Sequence, residues 1–506
     1  MKKLTVLLCT VLTASSVLAA CGSNDNSTVN NAPDSGGNKA KSDKPFHITM
    51  VAEQSTQIPK EDNEIETKLQ EYTGVDFSMQ WIPGSAYDDK INVMIASQDL
   101  PEIMTIKYSP NYISYMKEGL FWEVGPLIKD YPNLAEVSPL HYENVSVDGK
   151  VYGVPLFRSL ARSGVTFRKD WLEKLNLELP VTLDDWYNVV KAMGEGDPDG
   201  NGKKDSYGIM LDKIFADGPS SVVNLLAVSQ GAPNQWGVED GKVVPSFYSQ
   251  TYFDVLTLFR KLYSENLINQ DFAVIDDSSA GTTWDAGKLG IKVGTAGIAV
   301  ALQGTVAKTV PTAVVDVEPL QGADGKRAPA ELGNNGLLVF PKSSVKTEED
   351  LKKILGFLNK LLDEPMATLL QYGIEGKHWK NTDGNATVID EDLFRLEGKP
   401  YRDRLLAINP GGKSIPKDMS DLERKTLDIT VDNLNYAVGN PAVSLSSETY
   451  SQKGAELNII MLDAQVKYIM GNIDEEGWKK EIANWEKAGG LKIIEEYTEQ
   501  YNLIKE

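Results

Sequence analysis

The chain has 506 residues and a formal charge of −21, because 72 acidic residues outnumber 51 basic ones. Such an acidic surface repels phosphate backbones and anionic lipids, which argues against nucleic-acid binding and against direct docking on a membrane. The length predicts at least two large lobes, and a hydrophobic content of 41% is ordinary for a globular protein.

Residues 1–20 have the pattern of a secretory signal peptide. Lys2 and Lys3 precede an apolar run that ends in small residues before Cys21. The run is too short for a stable membrane span. Cys9 leaves with this segment, so Cys21 remains alone and no intrachain disulfide is expected. The alternative is a plain secreted protein in which Cys21 follows the cleavage site by coincidence.

The next segment, residues 21–44, contains Cys21 and a polar, Asn/Ser/Gly-rich stretch that predicts a flexible linker with an r.m.s. span of roughly 26 Å. The folded part then alternates two patterns. The period-2 strand patterns begin at Phe46, Val75 and Ile103, and the helical patterns between them cover Ile58–Thr73 and Ser85–Ser97. This order predicts an α/β fold with a parallel sheet.

Further helices are predicted along the chain. Thr182 followed by Asp185 has capping-box spacing, and the helix that they begin places Trp186 on a buried face. Trp171 is also assigned to the core. Apolar residues at helical spacing predict helices over Phe253–Tyr263, over Glu348–Leu362 and through most of the C-terminal part.

The sharpest chemical signal is a calcium-type loop. Oxygen-bearing side chains stand at alternate positions, Asp197, Asp199, Asn201 and Asp205, with Gly202 at the sixth position and the carbonyl of Lys203 at the seventh. Position 12 is Gly208 instead of a glutamate, so the pattern favours a structural Ca²⁺ loop that runs into a strand over 206–211. The alternative is a surface turn without metal.

Aromatic residues beside polar ones suggest a sugar-binding cleft, because sugars combine flat apolar faces with hydroxyl rims. Trp236, Trp284 and Trp379 are candidate platforms, with Glu375 and His378 beside the last of them. Plain packing is the alternative for each tryptophan. Zinc-pair and serine-elbow motifs do not occur, so catalysis has little support. A glycosidase needs only two carboxylates, however, and that alternative stays open.

Several segments together resemble the extracellular solute-binding proteins (family 1) of carbohydrate ABC importers, in the branch similar to alginate-oligosaccharide-binding proteins. They are the lipobox Leu18–Cys21, Ala96–Ile103, Asp148–Pro155, Phe167–Lys174, Thr182–Trp186, the calcium loop and Tyr372–Trp379.

The resemblance implies a periplasmic-binding-protein-like fold of two lobes with a helical C-terminal extension. Residues 45–157 plus 319–365 would form the N-lobe, and residues 158–318 plus 366–506 the C-lobe, with crossings near Arg158, Pro319 and Pro365. It also implies acylation of Cys21 and a structural Ca²⁺ in the loop described above. Ser206 replaces an acid found in the alginate-binding members, so the sixth ligand is left open.

The sequence therefore predicts a monomeric receptor, lipid-anchored at the extracellular face of the cell membrane, that delivers an oligosaccharide to an ABC permease without catalysis. Asp99 and Arg158 join the aromatic residues as ligand-binding candidates. The acidic surface argues against a polyanionic sugar, but Arg158, Arg162 and Arg168 lie near the first crossing and offer local positive charge; exposure without function is the alternative for each arginine. An extracellular carbohydrate-active enzyme and a receptor for a peptide or other non-sugar solute are the alternatives.

Overall fold

The computed structural model describes residues 45–54, 58–60, 63–108, 110–405 and 413–505. The signal peptide, Cys21 and the linker lie outside the described residues, so those interpretations stay predictions. Two main sheets, each with its own hydrophobic core, organise the part of the chain that is described.

The first sheet has five strands. In spatial order they are Asp76–Pro83, His47–Gln54, Ile103–Ile106, Asn334–Val339 and Gly153–Phe157. His47–Gln54 is parallel to both neighbours, whereas Asn334–Val339 is antiparallel to both of its own. Four carboxyl ends and the amino end of Asn334–Val339 therefore share one edge. The predicted strand–helix–strand–helix–strand order is confirmed.

The helix after the first strand begins later than predicted. It spans Glu64–Thr73, because the Oδ1 of Asn63 accepts a hydrogen bond from the amide of Ile65 at 2.8 Å and caps the helix there. Gly74 ends the helix at a φ of 71°, a left-handed conformation that glycine adopts without steric cost. The predicted C-cap is confirmed.

The second sheet has three antiparallel strands in the order Ile291–Thr295, Ser163–Arg168 and Val315–Glu318. The predicted strand over 206–211 is wrong, because among the described residues this segment forms only a bridge between Tyr207 and Leu289. Gly208 instead approaches the backbone of Val190, where an added Cβ would lie 2.6 Å from the Cα atom.

The remaining strands form two-stranded pairs. These are Trp236–Glu239 with Lys242–Pro245, Gln321–Gly322 with Gly325–Lys326, Ala328–Pro329 with Ala437–Val438, and Trp379–Thr382 with Asn385–Val388.

The α-helices before residue 300 are Glu64–Thr73, Tyr87–Ser97, Pro110–Lys117, Gly125–Ile128, Pro132–Ala135, Leu140–Glu143, Lys169–Leu175, Leu183–Glu195, Val222–Ser229, Gln250–Ser264, Asp277–Asp285 and Ile298–Thr309. Those that follow are Glu348–Leu361, Glu364–Tyr372, Glu391–Glu397, Lys399–Arg404, Asp421–Asp432, Glu448–Ile469, Glu475–Trp485 and Leu491–Lys505. The capping box of Thr182 and Asp185 is confirmed.

The C-terminal helices complete the core of the second half. Trp478, Trp485 and Tyr497 pack in the same cluster as Trp171 and Trp186. The predicted core role of the last two tryptophans is confirmed, since each is at most 2% exposed.

The segment after residue 365 packs differently from the expected lobe division. Met366, Leu369 and Tyr401 belong to the same hydrophobic cluster as Ile48 and Phe77 of the first sheet. This packing favours a third crossing after residue 405 over one near Pro365, and the lobe boundaries stay a prediction. Among the described helices, none combines the length and apolar character that crossing a bilayer requires.

Candidate functional site

Two connections bring the edges of the sheets together. Residues 158–162 lead from the end of Gly153–Phe157 directly into Ser163–Arg168, and residues 319–333 return from the second sheet to the first. A segment as short as 158–162 spans at most roughly 18 Å. Ligands of α/β sheets bind beyond the carboxyl ends of the strands, so the space at these facing edges is the candidate site.

A cavity of about 780 Å³ lies beside these crossing segments. Its lining combines both halves of the molecule with the connections between them. Ser138 and Asn144 come from the first half, Arg327 and Glu331 from the second crossing, and Trp236 and Asn440 from the second half. The volume is in the range of pockets that enclose small ligands.

Polar contacts hold the walls of this cavity. Arg162 donates to Glu331 Oε2 from Nε at 3.0 Å and from Nη2 at 2.7 Å, and both side chains are only 17% exposed. The side-chain Nδ2 of Asn234 donates to the carbonyls of Ala330 at 2.8 Å and Val438 at 3.0 Å. These bonds tie segments together that are far apart in the sequence.

Arg158 stands at the start of the first crossing and is partly buried. Its amide donates to the Gly333 carbonyl, and its own carbonyl lies 2.9 Å from His141 Nε2. Within the described part of the chain, its guanidinium makes no hydrogen bond or ion pair. Burial and the neighbouring Arg162 lower the pKa of Arg158, and the Glu331 carboxylate opposes that shift.

A second cavity, of about 330 Å³, opens at the carboxyl edge of the first sheet. Arg404 lines it and donates to the Glu53 carbonyl at 2.7 Å and to the Glu53 carboxylate at 3.2 Å. Thr105 also lines it, and its buried Oγ1 finds no hydrogen-bond partner among the residues that the structure describes. Burial raises the pKa of Tyr87, whose hydroxyl donates to the Thr105 carbonyl at 2.5 Å.

Among the predicted platforms, Trp236 occupies the most suitable position. It lines the 780 Å³ cavity and also an adjoining one of about 470 Å³ in the second half. Its ring meets the ring of Tyr497 edge-on, with the centroids 5.0 Å apart. The indole is partly exposed, so it joins the two cavities and offers an apolar surface to both.

The structure places the other candidates elsewhere. Trp284 is fully buried and donates to the Leu302 carbonyl, and Trp379 is 5% exposed and donates to the Gly373 carbonyl. This burial favours packing over a platform role for both. His378 is fully buried as well, and burial lowers its pKa. The two remaining candidates, Glu375 and Asp99, are exposed and line none of the cavities described above.

The geometry of two sheets joined at facing edges agrees with what comparison of the whole sequence finds. The family described as bacterial extracellular solute-binding protein matches residues 55–368. The chain belongs to this family. The predicted resemblance and the two-lobed fold class are therefore confirmed.

The sequence similarity to two relatives covers nearly the whole chain of this solute-binding protein. It is 37% identical to Lipoprotein LipO of Bacillus subtilis (strain 168), over 92% of this chain and 94% of that one. It is 35% identical to the polygalacturonan/rhamnogalacturonan-binding protein YtcQ of the same organism, over 99% of both. A crystal structure of the alginate-binding protein AlgQ2 without calcium ion matches 91% of this chain and 99% of that one, with a TM-score of 0.64 and 19% identity, and shows the shared fold.

The predicted calcium loop of this solute-binding protein keeps its polar side chains close together. Asn201 Nδ2 donates to Asp199 Oδ2 at 2.7 Å and to Asp205 Oδ1 at 3.0 Å, while the amide of Gly202 donates to Asp197. Lys288 lies 2.6 Å from Asp205 Oδ2, and its hydrogen bond holds the pKa of Asp205 below its usual value.

This donor set has the hard oxygens that Ca²⁺ prefers, all within one tight loop. Throughout the described ranges, however, no three acidic, histidine or cysteine side chains are grouped closely enough to hold a metal ion. Both carboxylate oxygens of Asp197 accept from the Gly202 amide at 3.2 Å. Calcium binding by these residues stays a prediction.

Sequence reasoning missed several residues of the site. Glu331, Asn234 and Arg327 follow no motif, and their roles depend on partners far along the chain.

Proposed function

We propose that the protein is the lipid-anchored receptor of an ABC importer and that it captures an oligosaccharide between its two lobes. The single observation that carries this proposal is the 780 Å³ cavity, which is lined by residues before, on and after the crossing segments. A ligand in such a place contacts both lobes at once, so it stabilises a closed arrangement by bridging them.

The ligand class is supported by the site and by the relatives. Trp236 offers an aromatic face, and Asn144, Asn440 and Glu331 supply hydrogen-bonding groups around it, the combination that suits a sugar. The name of YtcQ says that this relative binds polygalacturonan and rhamnogalacturonan. An oligosaccharide is therefore the ligand that we propose.

Titration calorimetry with a panel of oligosaccharides and peptides tests the proposal. We expect stoichiometric binding of an oligosaccharide, with a smaller radius of gyration in small-angle scattering once it is bound. The same mixtures are then assayed for new reducing ends. Tight binding of unchanged sugar supports a receptor without catalysis, whereas new reducing ends support an enzyme and peptide binding supports another solute class.

The membrane anchor is proposed at Cys21, in agreement with the predicted lipobox and with the name of LipO. Acylation there places the receptor at the extracellular face of the membrane, beside its permease. Labelling with a palmitate analogue should mark the wild type and leave Cys21→Ser unlabelled and released to the medium. Equal retention of both proteins in the membrane fraction would contradict this proposal.

We also propose that the loop of Asp197, Asp199, Asn201, Lys203 and Asp205 binds Ca²⁺. The bound ion would neutralise the crowded carboxylates and fix the loop after the helix Leu183–Glu195. The oxygen-rich donor set supports this proposal. The role would be structural, because the loop does not line the 780 Å³ cavity.

A revised lobe division follows from the packing. We propose that residues 366–405 belong to the lobe of the first sheet, because Met366, Leu369 and Tyr401 share its core. The chain would then cross for the third time between residue 405 and the strand Ala437–Val438.

A further inference from the structure

At the junction of the two halves, Arg158 carries a positive charge that finds no hydrogen-bond or ion-pair partner among the described residues. Arg158 is partly buried, and its guanidinium nitrogens keep contact with solvent. A ligand therefore reaches it without rearrangement of the core. Placing a charge in a partly desolvated position is costly unless an opposite charge compensates it.

The other arginines near the site differ from Arg158. Arg162 is neutralised by Glu331, and Arg404 is held by Glu53. Arg327 donates to the carbonyls of Val228 and Ala232. Within the described residues, Arg158 is thus the partly buried arginine whose hydrogen-bonding capacity is unused, which is the condition expected of a ligand-binding group and not of a structural one.

Arg158 lines neither cavity itself, but its backbone is bonded to the segment that separates their linings. Its amide bonds to Gly333, which lies between Glu331, on the lining of the 780 Å³ cavity, and Asn334, on the lining of the 330 Å³ cavity. Leu160, two residues further on, also lines the larger cavity. Glu331 lines the larger cavity and its carboxylate acts on the pKa of Arg158, so a ligand that extends from this cavity along residues 331–334 would come within reach of the guanidinium.

We infer that Arg158 binds the carboxylate of a uronic acid residue within an oligosaccharide held at this junction. The inference rests on the proposed function and specifies its substrate class. The planar guanidinium presents paired N–H donors that match a carboxylate. The lowered pKa of Arg158 agrees with a cation short of compensation, and YtcQ is named for binding an acidic polysaccharide.

The acidic composition of the whole protein does not oppose this assignment. At physiological ionic strength charges are screened over about 8 Å, so the local arrangement decides the attraction. Glu331 is the carboxylate that acts on the pKa of Arg158, and Arg162 already compensates its charge. The balance at the junction is therefore positive, although the chain as a whole is at −21.

The test uses the soluble mature chain, trigalacturonic acid and its fully methyl-esterified form. We expect the wild type to bind the acid about 10- to 100-fold more tightly than the ester, the range of a charge-assisted hydrogen bond. Arg158→Met should lose that factor for the acid and leave the affinity for the ester unchanged, with Arg158→Lys in between. Arg424→Met, an exposed arginine without a side-chain partner in the described structure, makes the same change in net charge and should bind like the wild type.

Several outcomes would overturn the inference. Equal binding of acid and ester by the wild type would do so, as would an equal loss of both ligands in Arg158→Met with unchanged thermal unfolding. If Arg158→Met does not fold, Arg158→Lys carries the comparison. Tight binding of neutral oligosaccharides without any uronate would refute this substrate class and keep the receptor, whereas failure to bind any oligosaccharide would refute the proposed function as well.

Discussion

The loop 197–205 and the crossing region are both rich in polar side chains, but they are assembled over very different separations along the chain. Asn201 reaches Asp205 four residues away, whereas Arg162 and Glu331 are 169 residues apart and Asn234 and Val438 are 204 apart. The loop is a local arrangement that a metal ion can complete. The crossing region forms only when both halves of the chain have folded, so its contacts depend on the relative position of the two halves.

The largest expected effect concerns the loop. Ca²⁺ at a thousandfold excess over its Kd should stabilise the protein by about 4 kcal/mol. A chelator should therefore lower the thermal unfolding temperature, and Asp199→Ala should abolish that response. Asp428→Ala, at an exposed position of the helix Asp421–Asp432, is the matched control and should keep it. An unchanged unfolding temperature after removal of analytically verified metal would contradict the prediction.

The next effect concerns the crossing region and should leave the loop untouched. Trp236→Ala removes the aromatic surface shared by two cavities, and we expect binding of the oligosaccharide to weaken by about 2 kcal/mol, or roughly 30-fold. Calorimetry measures the loss, and the response to chelator should stay that of the wild type.

Trp122→Ala provides the control for that experiment. Trp122 is also partly buried, but it donates to the Val345 carbonyl and lines none of the cavities described above. It should change stability and not affinity. If the two variants weakened binding equally, Trp236 would have no special role in the ligand site.

Breaking the pair of Arg162 and Glu331 tests whether the crossing region is held by long-range contacts. Glu331→Gln leaves a mostly buried guanidinium without its counter-charge, and we expect a loss of about 2 kcal/mol in the free energy of unfolding. Glu348→Gln breaks an exposed pair with Lys352 and should cost no more than about 0.5 kcal/mol. Equal losses in denaturant titrations would show that the buried pair is not a special contact.

The smallest expected effect is a pH dependence at His141, whose ring contacts the Arg158 carbonyl. Burial lowers the pKa of His141 in the folded state below its ordinary value of 6.5. The unfolded chain then binds the proton more readily, so the free energy of unfolding falls as the pH drops below about 6.5, by at most about 1.4 kcal/mol per pH unit. His141→Gln should reduce this slope between pH 6.5 and 5.5; a slope identical to that of the wild type would refute the role of His141.

The sequence predicted those parts of the fold that depend on neighbouring residues. The capping box at Thr182 and the C-cap at Gly74 are confirmed because each needs only a side chain or a backbone angle within a few residues. Strand 206–211 was wrong, since its backbone pairs with residues 288–291 only at Tyr207 and Gly208, whereas Leu211 bonds to the side chain of Asn269.

The candidate site was predicted only in part, for the same physical reason. Trp236 was identified because polar residues and a glycine flank it in the sequence. Similar neighbours also suggested Trp284 and Trp379, which are buried. Aromatic residues serve cores and ligand sites alike, so a tryptophan can be assigned to one of them only when its burial is known.

The sequence by itself determined the α/β class, the family resemblance and the loop of Asp197 to Asp205, because period, capping and ligand spacing are properties of contiguous residues. Only the tertiary structure decided which charges are compensated. Arg158 and Arg162 are four residues apart and chemically identical, yet Glu331 pairs with Arg162, and Arg158 has no ion-pair partner among the described residues. That difference depends on a side chain brought back by the second crossing, and a linear pattern does not contain it.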